Sequence, residues 1–213
     1  MIYKTGDLGW VEAEIGDCLA ITKLRSAEKN AVFKIQTKKG DYVLKQGPGL
    51  ERERDRLLWL DGRLPVPKVT GWQKKDSGDE LLMTYVEGHD LAHLIKKIDG
   101  NTVVNVLADA LHLVHKTDIS DCPFGEKKEN SVFVHGDACL PNFIFKEGKL
   151  NGIIDLADAG IGTVETDLSA AVWSLNFNLG PSLGVTFLRA YGAKIATEEY
   201  VERLIERYET EKC

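Results

Sequence analysis

The stretch His135-Gly136-Asp137-Ala138-Cys139-Leu140-Pro141-Asn142, running on through Phe143-Ile144-Phe145-Lys146-Glu147-Gly148-Lys149-Leu150-Asn151-Gly152-Ile153-Ile154-Asp155, restricts this chain more than any other segment. Two apolar runs flank Glu147-Gly148, a pair of residues suited to a two-residue hairpin turn. Such a turn pairs Phe145 with Leu150 and Phe143 with Gly152, and it leaves Asn142 opposite Ile153. Asp155 then lies two residues farther along, about 7 Å of strand, a gap that two side chains reaching toward one cation can close. Asp137 falls on the loop before the hairpin and faces the same cleft.

Those residue types fit one kind of chemistry. Phosphoryl transfer asks a protein mainly to place groups: a carboxylate at the attacking hydroxyl, and oxygen ligands that hold Mg²⁺ against the nucleotide phosphates. Asp137 is a candidate for the first task, Asn142 and Asp155 for the second. Each also has an ordinary use taken singly, since Asp137 can cap a turn and Asn142 can occupy one. His135 reads as a hydrogen-bonded brace for the loop. Asp155 follows the apolar run Gly152-Ile153-Ile154, where a carboxylate without a partner is costly to desolvate, so a metal partner accounts for it better.

Elsewhere the hydropathy pattern divides the chain in two. Ala31 to Thr37 and Tyr42 to Lys45 alternate as strands around a turn at Lys38-Lys39-Gly40-Asp41. After Gly47-Pro48-Gly49, the residues Leu50, Leu57, Leu58 and Leu60 recur among charges at helical spacing, until Leu64-Pro65-Val66-Pro67 ends the run. Lys68 to Gln73 and Leu81 to Tyr85 predict another strand pair. Lys45 ends its strand and Glu53 lies in the first turns of the following helix, an arrangement suited to an ion pair that holds a lysine against nucleotide phosphates. Beyond Val86-Glu87-Gly88 helices take over, notably Val103 to Lys116, and Thr197 to Glu211 forms a charged amphipathic helix. The expected organisation is α+β: residues 1–84 as a nucleotide-binding lobe of small antiparallel sheet plus one helix, and residues 85–213 as a mainly helical lobe carrying the hairpin and the acceptor site.

A chain of 213 residues with 43% hydrophobic content can bury a core of this size. Its net charge of −6 argues against nucleic acid as a partner. The four cysteines are too widely spaced for a zinc site or redox pair and read as reduced thiols. With no signal-like N-terminus and no membrane-length apolar run, the expectation is a cytoplasmic protein with no membrane partner.

The run His135-Gly136-Asp137 with Asn142, followed by Ile154-Asp155, resembles the catalytic and metal-binding signature of the aminoglycoside phosphotransferases, relatives of the protein kinases. The similarity extends to Glu51 through Leu60, Leu64-Pro65-Val66-Pro67-Lys68-Val69, Leu81-Leu82-Met83 and Asp118 through Pro123, and it is nearest the 3′-phosphotransferase branch. The resemblance implies a protein-kinase-like two-lobe fold and a Mg²⁺-dependent kinase that uses ATP or GTP. By it Asp137 orients or deprotonates the acceptor, Asn142 and Asp155 bind Mg²⁺, Lys45 and Glu53 steady the nucleotide, and adenine meets backbone near Thr84 and Val86. Arg25 to Asn30 would be the loop over the phosphates, though without a glycine pattern, and Asp167 would support the catalytic loop.

Departures lie on the acceptor side. Between Cys122-Pro123 and His135 the typical member carries an extra helical segment, whereas here only Phe124 through Asn130 and a few residues intervene, so the chain is shortened. An arginine common three residues after the metal aspartate is Asp158 here. The expected acceptor is an aminoglycoside hydroxyl, with Asp158, Glu165 and Asp167 able to attract a polycation. Two alternatives stand beside it: a different small alcohol or amino-alcohol, and nucleotide binding without turnover.

Overall fold

The computed structural model describes residues 8–26, 30–76 and 78–212. The chain divides into two compact units, one formed within Met1–Asp61 and Pro67–Val86, the other from Gly62–Val66 and Glu87–Cys213. The short piece Gly62–Val66 belongs to the second because it is stitched into that unit's backbone, Pro65 O accepting from Ile153 N at 2.8 Å.

The first unit contains, in order, α1 (Gly9–Ile15), β1 (Cys18–Ser26), β2 (Ala31–Thr37), β3 (Gly40–Gly47), α2 (Glu51–Leu60), β4 (Val69–Gln73) and β5 (Asp79–Thr84). The strands form one antiparallel sheet in the order β1-β2-β3-β5-β4. Period-two alternation places Phe33, Ile35 and Leu44 on one face, where they pack with Leu82 and with Val11 and Ile15 of α1. Helix α1 is an addition to the single helix expected, and with only two buried positions in seven residues it offers too little periodicity to read from sequence. Asp79, at the start of β5, accepts from Leu50 N at 3.1 Å and so satisfies one of the open donors at the entry to α2. The tip of the phosphate-loop candidate, Ala27 to Lys29, lies outside the described residues.

Buried in this unit, Glu80 collects donors from four directions: Trp10 Nε1 at 2.7 Å, Gln46 Nε2 at 2.5 Å, Gln73 Nε2 at 2.7 Å and Lys75 Nζ at 2.7 Å. Burial alone would push its carboxyl up, but the four hydrogen bonds favour the ionised form and hold it below its ordinary value of 4.5. A carboxylate with a lowered folded value contributes stability that is fully present above that ordinary value and is lost as pH falls through the folded one. Glu80→Ala should therefore cost about 2–3 kcal/mol at neutral pH, since it leaves buried donors without an acceptor. Urea unfolding of the two proteins should show the gap narrowing below about pH 4.

The second unit begins with β6 (His89–Asp90), α3 (Leu91–Leu94) and α4 (Gly100–His115). Asp99 starts α4 by accepting from Asn101 N and Thr102 N, and the face carrying Leu107, Leu111 and Val114 is buried. Then come β7 (Val132–Val134), a 3₁₀ turn at Leu140–Asn142, β8 (Phe143–Lys146), β9 (Lys149–Ile153), β10 (Gly160–Gly162), α5 (Val164–Leu179), α6 (Gly184–Tyr191) and α7 (Glu198–Lys212). One small sheet has the order β6-β8-β9, and β7 pairs with β10. The segment from Phe124 to Asn130 contains no helix; it is fastened by Ile161 N donating to Phe124 O at 2.7 Å. No helix among the described residues is long and apolar enough to cross a membrane.

Candidate active site

Strands β8 and β9 form the hairpin that the sequence predicts, with one correction. Glu147 and Gly148 take positive φ of 51° and 76°, the conformation of a tight two-residue turn, and Phe145 pairs with Leu150. Gly152, however, pairs with Ile144 and not with Phe143, because the register shifts between Ile144 and Phe145. Asn151 is the extra residue of that bulge, and its side chain turns aside to donate to Glu87 O at 2.7 Å. The shift carries the far end of β9 one residue along, so Phe143 faces Ile153 and Asn142 O accepts from Ile154 N at 3.0 Å. Asp155 thus directly follows the residue bonded to Asn142, nearer than the spacing expected from an unbroken hairpin. It has φ 62°, a left-handed backbone that aspartate tolerates better than most residues.

The loop before the hairpin is held from beneath by one carboxylate. Asp167 in α5, fully buried, accepts from His135 N at 2.8 Å and Gly136 N at 2.9 Å, and its Oδ2 lies 3.0 Å from His115 Nε2. His115 Nδ1 in turn lies 2.7 Å from Tyr191 Oη. A carboxylate accepts, so His115 donates from Nε2 and accepts a hydrogen bond from the Tyr191 hydroxyl on Nδ1. His135 is fully buried and accepts Asp137 N–H on Nδ1 at 3.2 Å, which leaves Nε2 to donate to Ile154 O at 3.0 Å. The imidazole therefore ties the loop of Asp137 to the strand end of Asp155. Gly136 cannot carry a side chain here: φ is 83°, and a Cβ would sit 2.3 Å from Asp158 O.

Asp137, half-buried, is surrounded by donors. Asn142 Nδ2 bonds its backbone O at 2.8 Å and its Oδ2 at 3.3 Å, while Oδ1 accepts from Tyr208 Oη at 2.8 Å and Cys139 Sγ at 3.3 Å. Burial pushes the Cys139 thiol up to about 12, so it stays neutral and serves as a donor and not as a nucleophile. The 3₁₀ turn is anchored by Leu140 N on Ser174 Oγ at 3.0 Å. Tyr208 was not singled out from sequence; it lies 71 positions from Asp137, and no local pattern links the two.

The residues present suit Mg²⁺. Both contacts of the Asn142 amide nitrogen are to acceptors, so the remaining amide oxygen is the atom offered to a cation, one backbone hydrogen bond away from the residue preceding the Asp155 carboxylate. An amide oxygen and a carboxylate are the hard ligands Mg²⁺ prefers. Among the described residues no group of three or more His, Cys, Asp or Glu could hold a metal ion.

Of the residues expected in the first unit, Lys45 lies inside β3, which continues to Gly47, and not at a strand end. Its Nζ reaches both oxygens of the buried Glu53 in α2, at 2.7 and 2.8 Å. Thr84 ends β5 opposite Tyr42, exchanging bonds with Lys68, and Val86 follows two residues later. Asp158 is exposed and pairs with Lys212, and Glu165 lies in the first turn of α5.

The sequence matches the phosphotransferase enzyme family over residues 20–129 and 126–204. An aminoglycoside 3′-phosphotransferase from Niallia circulans is 31% identical over 200 residues, spanning 73% of this chain and 76% of the relative. One from Enterococcus faecalis is 27% identical over 177 residues, spanning 62% and 67%. Among solved structures, an aminoglycoside phosphotransferase of type (3″)-Id from Streptomyces rimosus superposes with a TM-score of 0.74 at 23% identity, covering 96% of each chain. A thermostable mutant of the (4)-Ia type, in ternary complex with AMP-PNP and hygromycin B, gives 0.74 at 16% identity, covering 97% of this chain and 91% of that one. The fold is thus that of the aminoglycoside phosphotransferases.

Proposed function

Because this chain belongs to the phosphotransferase enzyme family, we propose that it transfers the γ-phosphoryl group of ATP or GTP to a hydroxyl of an aminoglycoside. The observation that carries this reading is the linkage of Asp137, Asn142 and the Ile154-Asp155 strand end through His135 and the Asn142 amide. We take the Asp137 carboxylate as the group for an incoming hydroxyl and Asn142 and Asp155 as oxygen ligands for a metal, the parts a phosphoryl transferase requires.

In this reading Asp137 accepts the acceptor's proton as its oxygen attacks phosphorus. Asn142 and Asp155 would hold Mg²⁺, which when bound would supply positive charge beside the phosphate oxygens. Glu53 keeps Lys45 extended, and we assign the Lys45 ammonium to the nucleotide's phosphates and the backbone around Thr84 and Val86 to its base. The cytoplasm, where nucleoside triphosphate is abundant, is the compartment we assign.

Incubation with Mg²⁺, γ-labelled ATP or GTP and a panel of aminoglycosides tests the proposal. Label should appear in at least one antibiotic, and transfer to none of them would remove the substrate. The helix-free segment from Phe124 to Asn130 favours a second reading, in which the same chemistry serves a different small amino-alcohol. Label reaching a metabolite library but no antibiotic would select it.

Asp155→Ala should abolish Mg²⁺-dependent nucleotide binding, as isothermal titration with and without the metal will measure. An unaltered Mg²⁺ requirement would contradict the ligand assignment.

A further inference from the structure

The Tyr208 hydroxyl is hydrogen-bonded to the carboxylate that the proposed function assigns to the acceptor hydroxyl. Its proton points at Asp137 Oδ1 across 2.8 Å, within the 2.6–3.2 Å or so over which a carboxylate can act as general base. We propose that Tyr208 is itself a phosphate acceptor: with Mg²⁺ and a nucleoside triphosphate bound and no other acceptor present, the chain phosphorylates its own Tyr208. The inference rests on the assignment of Asp137 as the base.

The side chain is held ready for this by contacts that do not depend on the phosphate. Its ring packs against Trp173 at a centroid distance of 4.9 Å, and Trp173 stacks on Phe177 at 5.3 Å with planes 9° apart. Trp173 Nε1 donates to Glu209 Oε1 at 3.3 Å, and Lys212 pairs with Asp158, so α7 is fastened through the turn that follows Tyr208. A hydroxyl fixed beside its base reacts with far less entropic loss than one arriving from solution. Both Tyr208 and Asp137 are only half-buried, which leaves each a side open to a nucleotide. Burial, with the hydrogen bonds to Cys139 and Asp137 adding to it, raises the phenol well above its ordinary range. The group therefore keeps its proton until attack, and the proton has somewhere to go.

In the step, the Tyr208 oxygen forms a bond to the γ-phosphorus and the bond from that phosphorus to the β,γ-bridging oxygen breaks. The nucleoside diphosphate leaves with that electron pair, and the phenolic proton passes to the Asp137 carboxylate and from there to water. The product places about −1.5 to −2 charges beside Asp137. Repulsion then drives the phosphorylated ring away from the base, so the reaction stops after one group per chain. An acceptor hydroxyl competes with Tyr208 for the same carboxylate oxygen and should protect it.

Intact-mass spectrometry of the full chain after incubation with Mg²⁺ and ATP provides the test, with transfer to an aminoglycoside panel measured on the same preparation. The expected result is a mass gain of one phosphoryl group, mapped by peptide sequencing to Tyr208, suppressed by a transferred aminoglycoside and absent from Tyr208→Phe and Asp137→Ala. Because the contact lies within one chain, Asp137→Ala mixed with wild type should stay unmodified. A wild type that phosphorylates an aminoglycoside while its own mass is unchanged would overturn the inference alone, as would label mapped to another residue or persisting in Tyr208→Phe. If neither the chain nor any acceptor is phosphorylated, the assignment of Asp137 fails and the inference falls with it.

Discussion

Asp137→Ala should lower kcat for phosphoryl transfer by about 10²-fold or more, with nucleotide affinity retained. The split follows from which groups Asp137 touches. Its oxygens meet Tyr208, Cys139 and Asn142, all in the second unit, so its removal takes away the proposed proton acceptor while both proposed metal ligands remain. Asn142 keeps its other hydrogen bond, to the backbone carbonyl at position 137, which the substitution preserves. Steady-state kinetics paired with nucleotide titration will separate the two effects. A parallel loss of nucleotide binding would mean that Asp137 organises the metal site and is not chiefly a base.

Asp167→Ala should damage the protein in a different way. Three donors converge on this fully buried carboxylate: His135 N, Gly136 N and His115 Nε2. Without it, two loop amides and an imidazole are left in the interior with no acceptor, at a cost of about 3–5 kcal/mol. That is a large share of the ~5–15 kcal/mol that holds a domain folded. Urea unfolding should show a lower midpoint, and the remaining folded protein should turn over slowly because the loop of Asp137 has lost its support. Wild-type stability with reduced turnover would place Asp167 at the substrate instead.

The hairpin was legible because its signal is local: two apolar runs and a turn pair that tolerates positive φ. Its bulge was not, since Asn151 leaves the ladder to meet the Glu87 carbonyl, 64 positions away. One misplaced residue matters here, because it decides whether Asn142 faces Ile153 or bonds Ile154 next to Asp155. The Lys45 and Glu53 pair could be read from strand and helix spacing, although Lys45 proved to lie within its strand. The role of Asp167 beneath the loop entered only through resemblance, and Tyr208 was invisible, since α7 meets Asp137 only through tertiary packing. Apolar alternation and helical periodicity marked strands β2 to β5 of the first unit and the helices α2, α4 and α7, while the contacts that tune the site came from residues far apart in order.

The most direct test of the account is anomalous X-ray scattering from Mn²⁺ substituted for Mg²⁺ in a complex with a non-hydrolysable ATP analogue. A manganese peak coordinated by both the Asn142 amide oxygen and the Asp155 carboxylate is expected, with the terminal phosphate facing Asp137. A metal bound elsewhere, or a terminal phosphate remote from Asp137, would contradict it.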